Sequence, residues 1–187
     1  TCGMYTVIFF FLDSHYNIVY NVTQELRKVN MNIFFLHRDP SRAAKAQCDK
    51  HVVKMVLETT QMLSTAARQF GYDIGYQSAY PKHPMTIWVG DTRDNFCWAL
   101  QHAIELSKEY TARYSKFHAS QKVIDDIHKH YPDISFDNIT EPPQCMPDEF
   151  KCDDYVLAYR KYYVHKIGGW KFPPKWFQSL DADPYYA

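Results

Sequence analysis

The chain has 187 residues, 46% hydrophobic and 17% aromatic, which excludes a disordered or low-complexity protein and leaves room for one domain with a real core. Twenty-one Lys and Arg balance twenty-one Asp and Glu, so net charge argues neither for nor against nucleic acid, and any electrostatic footprint must be local. No stretch approaches the roughly 20 apolar residues that a bilayer span needs, and the apolar residues 7–12 are too few and lack the basic leader of a signal peptide.

Five Cys (Cys2, Cys48, Cys97, Cys145, Cys152) are odd in number, widely spaced and without a C-x-x-C pair, the pattern of reduced thiols in a cytosolic protein. Cys145, Cys152, His128 and His130 match no standard zinc-finger spacing, so core and loop roles outweigh a metal site. Neither a metal nor a cofactor is expected.

Met31 followed by Asn-Ile-Phe-Phe-Leu reads as a chain start entering an extended segment over 33–36. Residues 1–30 are then an N-terminal extension, or sequence upstream of the true start, and 31–187 form the single working domain. Asp39-Pro40 has the form of a helix start, with Asp as N-cap and Pro in the first turn. The helix it opens is expected to run over 40–70 and to stop at Gly71. Residues 71–83 are a loop, and His83-Pro84 leads through the apolar Met-Thr-Ile-Trp-Val to Gly90. Asp91 or Thr92 caps a second long helix over 93–117, with Phe96, Leu100, Ala103, Ile104, Ser107, Tyr110 and Tyr114 as its core face and Glu109–Arg113 as an i,i+4 ion pair. A shorter helix covers 120–130, a proline-rich loop 132–148 and a fourth helix 153–167, stopped by Gly168-Gly169. The aromatic tail, with Trp170, Phe172, Trp176 and Phe177, is expected to pack back on the bundle. The fold class is therefore all-α, a compact single-domain bundle of about four helices behind a short extended segment.

The first long helix is apolar on most of its circumference except for His51, Lys54, Glu58, Gln61 and Thr65, one stripe at the helical period. Burying a Lys and a Glu is costly unless they are paired or put to use. At i,i+4 they can share one pocket, where a carboxylate serves as acid, base or cation stabiliser and an amine as nucleophile. A plain surface salt bridge is the competing interpretation. From Tyr159 to Phe177 there are five Lys and Arg and no Asp or Glu, interleaved with aromatics, as in surfaces that hold phosphates and stack bases. Arg160, Lys161, Lys166 and Lys171 are its candidates, although Tyr155, Tyr159, Tyr162 and Tyr163 also have the spacing of a core face. His83, Arg93 and Asn95 flank the start of the second long helix, where an anion can bind, or where they only cap and solvate it.

Asp49-Lys50-His51 with Glu58 seven residues after the His, then His83-Pro84-Met85-Thr86-Ile87-Trp88, then the aromatic-basic end around 170–177, resembles the phage-type pyrimidine dimer DNA glycosylase (endonuclease V) family. The resemblance runs over roughly 31–177. It implies an all-α viral DNA-repair hydrolase, a monomer without cofactor in the host cytoplasm, that acts on double-stranded DNA and not at a membrane. Such an enzyme cuts the glycosidic bond of a damaged pyrimidine and nicks the abasic site through an imine. Carried over, Glu58 stabilises the cationic intermediate and His51 contacts or orients DNA. The family's nucleophile is its N-terminal α-amine, on a Thr. The corresponding region here is Met31-Asn32, and Leu57 stands where the family has an Arg. Either a terminus made at Met31–Asn32 reacts, or Lys54 supplies the amine, or the lyase step is absent. Two other functions remain as alternatives: a non-catalytic nucleic-acid-binding protein on the same scaffold, and a nucleotide-sized-substrate enzyme using His51, Lys54 and Glu58.

Overall fold

The structure, a computed structural model, describes residues 31–175. The expectations for residues 1–30, Trp176 and Phe177 lie outside the described residues. Every described helix belongs to the unit Asn32–Ala187.

Among the described residues there are six α-helices and no strand: α1 (Pro40–Lys45), α2 (Asp49–Gln69), α3 (Pro84–Asp91), α4 (Arg93–Tyr114), α5 (Gln121–His130) and α6 (Tyr155–Gly168), with a 3₁₀ turn at Asp148–Phe150. The all-α class holds, with more helices than the four expected. One reason is that the helix anticipated over 40–70 is broken. Asp39 caps α1, accepting from the Arg42 N–H at 2.8 Å. The chain leaves helical geometry at Cys48 (φ −68°, ψ 163°) before α2 begins. The polar groups freed at the break have partners from afar. Arg113 donates to the Gln47 carbonyl at 2.7 Å and to that of Lys45 at 3.2 Å, and the Cys48 N–H donates to the Tyr163 hydroxyl at 2.8 Å. Buried backbone groups need such partners, and none of these is visible to local periodicity.

The second additional helix is α3. His83-Pro84 repeats the cap-then-proline logic of Asp39-Pro40, with His83 Nδ1 accepting from the Met85 N–H at 3.2 Å. Thr92 caps α4 by accepting from the Asn95 N–H at 3.1 Å. This helix stops at Tyr114, short of 117, because Ser115 turns left-handed (φ 53°). Phe96, Leu100, Ala103 and Ser107 are buried as anticipated, whereas Tyr114 is exposed.

α2 and α4 pack against one another, with α3 and α5 each contacting both and α1 contacting α4. The segment 33–36 is fully enclosed, although it pairs with no strand. Phe35 stacks on Trp98 (centroids 4.4 Å apart, 24° between planes) and meets the edges of Trp88 and Tyr155. Removing a ring so placed costs about 3–5 kcal/mol. Arg160 of α6 is buried as well, its Nε donating to the Leu36 carbonyl at 2.8 Å. Thus α6 both encloses the segment and satisfies its backbone.

The connection from α5 to α6 is irregular but fastened to the first turn of α4. Arg93 donates to the Ser135 and Asp133 carbonyls, both at 3.0 Å, and pairs with the Asp133 carboxylate at 2.9 Å. Asp94 accepts from the N–H groups of Asp137 and Asn138. Asn95 exchanges hydrogen bonds with Thr140, accepting its N–H at 2.9 Å and donating to its hydroxyl at 2.7 Å.

Candidate active site

Glu58 sits in the third turn of α2 from its start, one helical turn beyond Lys54, with only 8% of its surface exposed. Each carboxylate oxygen faces a different nitrogen. Oε1 lies 2.8 Å from Lys54 Nζ, and Oε2 accepts from the backbone N–H of Asn32 at 3.3 Å. Burial pushes the Glu58 carboxyl above its ordinary range; the Lys54 ammonium, the Asn32 N–H and the more distant Lys166 ammonium hold the rise in check. At Glu58 the loss of water, which favours the neutral acid, thus outweighs three neighbours that favour the carboxylate.

Asn32 is gripped on both sides of its carboxamide. Oδ1 accepts from the Ile33 N–H at 2.9 Å and from the Tyr159 hydroxyl at 3.1 Å, and Nδ2 donates to the Cys145 carbonyl at 3.0 Å. His51, one turn before Lys54 on the same stripe, is buried in an aromatic box. Phe34, Tyr163 and Trp170 surround it at centroid distances of 4.8, 4.9 and 5.0 Å. Its Nδ1 has no hydrogen-bond partner, and burial, reinforced by the Lys166 and Lys54 charges, lowers its pKa to about 3. The imidazole is thus neutral throughout the physiological range.

The stripe on α2 is divided by depth. His51, Glu58 and Thr65 are buried and Lys54 is half-exposed, while the apolar Val53 and Leu57 are each 39% exposed. The candidates for DNA contact fall into two groups. Lys161 and Lys171 are exposed. Lys166 lies over the Tyr162 ring at 5.5 Å and acts electrostatically on both His51 and Glu58. Arg160 is interior on the Leu36 carbonyl, His83 is the half-buried cap of α3, and Arg93 is engaged by Asp133 and Ser135. Tyr159, Tyr163, Phe34 and the Cys145 carbonyl were not singled out from sequence as site components. Their positions follow from long-range packing, for which a loop such as 142–146 gives no periodic signal. Among the described residues no group of three or more His, Cys, Asp or Glu is placed to hold a metal ion, and no helix is long and apolar enough to cross a membrane.

Fold and site together define a helical domain built around a buried carboxylate bracketed by a lysine amine and a backbone nitrogen. Residues 31–123 match the family model for pyrimidine dimer DNA glycosylase, and over that span the chain is a member of that family. Its general function is accordingly that of a pyrimidine dimer DNA glycosylase, with DNA as the substrate. No curated protein and no solved structure matches the chain.

Proposed function

We propose that this protein acts as a monomer on double-stranded DNA, releases a damaged pyrimidine and cleaves the resulting abasic site through an imine. The observation that carries this reading is Glu58, with one oxygen on Lys54 Nζ and the other on the nitrogen of Asn32. A glycosidic bond breaks through a cation-like sugar, which a shielded carboxylate stabilises far better than an exposed one.

Reaching C1′ requires the damaged nucleotide or its partner to leave the stack. An amine attacks C1′ with its lone pair, the C1′–N bond electrons leave with the base, which takes up a proton, and the amine gives up one. The nitrogen lone pair then forms the C1′=N bond of the protonated imine as the C1′–O4′ bond breaks, and O4′ takes up a proton. Loss of a C2′ proton expels the 3′ phosphate. In a chain matured between Met31 and Asn32 the α-amine of Asn32 would start at the carboxylate; Lys54 is the other primary amine there. Lys161, Lys166 and Lys171 supply phosphate contacts, and the neutral His51 box orients the DNA-facing start of α2.

Borohydride reduction of the full chain and of a chain beginning at Asn32, each mixed with dimer-containing and with abasic duplex, tests this. The expected result is a covalent adduct whose peptide map lands on Asn32 or Lys54. Neither adduct nor released base on either duplex would overturn it.

A further inference from the structure

We propose that Tyr159 is a positioning residue: with the 143–145 loop it holds the Asn32 side chain so that the Asn32 backbone nitrogen is presented to Glu58. This rests on the catalytic reading of Glu58 given above. It also extends the site beyond the matched span of residues 31–123, since the loop and Tyr159 both lie outside it.

The geometry is a closed circuit. The Tyr159 hydroxyl donates toward the Pro143 carbonyl at 2.7 Å and toward Asn32 Oδ1 at 3.1 Å, and accepts from the Cys145 N–H at 3.3 Å. The Cys145 carbonyl in turn accepts from Asn32 Nδ2 at 3.0 Å. One hydroxyl therefore ties together both ends of a three-residue loop and the carboxamide that the loop holds. Tyr159 has no exposed surface, and burial keeps its hydroxyl protonated, so its single proton is always available to the two oxygens. With the carboxamide fixed at three points, rotation of Asn32 is restricted and its N–H stays on Glu58 Oε2.

A buried tyrosine can also serve packing alone; Tyr159 does contact Phe34 and Phe35. Packing would not require the hydroxyl. The charged and titratable groups that face Glu58 are Lys54 from α2 and Lys166 from α6, and both favour the carboxylate, as does the Asn32 N–H. His51 stands nearby as a neutral ring. A change in Glu58 that follows loss of a hydroxyl two links away is thus attributable to Asn32.

The test is a ¹³C NMR titration of the Glu58 carboxyl in the full chain, assigned with Glu58→Gln and compared among wild type, Tyr159→Phe, Asn32→Ala and the double variant. Each single variant should raise the Glu58 pKa by about one pH unit, the scale of one lost hydrogen bond to a carboxylate. The double variant should show no further rise, because both act through one contact. An unchanged Glu58 pKa in folded Tyr159→Phe, or two shifts that add, overturns the proposal. Should Tyr159→Phe not fold, Asn32→Ala, which keeps the backbone N–H and deletes every grip on it, decides alone. The titration needs no turnover, so failure of the wild type to excise bases would sink the catalytic reading separately. In an active enzyme the acid limb of kcat/KM should move to higher pH with KM unchanged.

Discussion

Lys54 Nζ and Glu58 Oε1 are 2.8 Å apart, yet they occupy different media, the lysine side chain being 47% exposed and the glutamate side chain 11%. The pair is therefore asymmetric. Water screens and solvates the amine, while the carboxylate bears most of the cost of burial. An active site arranged in this way is less stable than it could be, as is common where chemistry requires a shielded charge.

Glu58→Gln should abolish base excision while sparing DNA binding, and it should also stabilise the fold near neutral pH. A carboxyl whose folded pKa is raised binds more protons folded than unfolded, so its contribution to stability falls as pH rises through the interval between the two values. Chemical denaturation of the two proteins should give curves that converge at low pH and separate in favour of Gln as pH increases. A Gln variant equally stable or less stable at every pH would contradict this.

His51 and His102 should make the protein acid-labile. Burial lowers their pKa values to about 3 and about 4, and in both cases the folded state resists protonation. Stability from such groups is complete above about 6.5, the ordinary histidine value, and is lost as pH falls toward the folded values. For His51 the gap corresponds to roughly 4–5 kcal/mol at about 1.4 kcal/mol per pH unit. His51→Phe, which suits a box of Phe34, Tyr163 and Trp170, should flatten part of the acid limb of urea midpoint against pH. An unaltered limb would show that the ring is not held neutral.

The basic residues of α6 and the segment after it should separate by behaviour. Lys161→Ala and Lys171→Ala should weaken DNA binding on all sequences, each lowering the slope of log K against log salt by about 1. Arg160→Ala should instead destabilise the fold by about 1–3 kcal/mol, because the buried Leu36 carbonyl loses its donor. Filter binding across a salt series and thermal melts distinguish the two; a reduced salt slope with an unchanged melt for Arg160→Ala would reverse the assignment.

Arg113→Ala should cost a similar amount, about 1–3 kcal/mol, since it strips the carbonyls of Gln47 and Lys45 at the α1–α2 break. A hydrogen-exchange experiment would place the loss there if protection falls first at residues 45–52, and would count against the account if α4 alone loosens.

These residues also show what the sequence could convey. The cap-and-proline pair Asp39-Pro40, the stop at Gly71 and the apolar period were sufficient for an all-helical class, because each acts through neighbours within one or two turns. The break at Cys48 was hidden because its causes, Arg113 and Tyr163, lie more than sixty positions away. α3 was hidden for a different reason: Met85, Thr86, Trp88 and Val89 are all buried, which leaves too little polar contrast over eight residues to show a period. At the site, the helical period set His51, Lys54 and Glu58 on one face. Which of them would be sheltered depended on Phe34, Trp170 and Asn32, brought in by chain folding at long range.

Arg93, Asp94 and Asn95 use three consecutive side chains to hold five residues of the α5–α6 connection. A stretch without repeating backbone order is thereby anchored like a cable clipped to a rail. Proteases that cut extended, pliable chain should find 133–140 a poor substrate, and a nick made there would leave both fragments docked on α4.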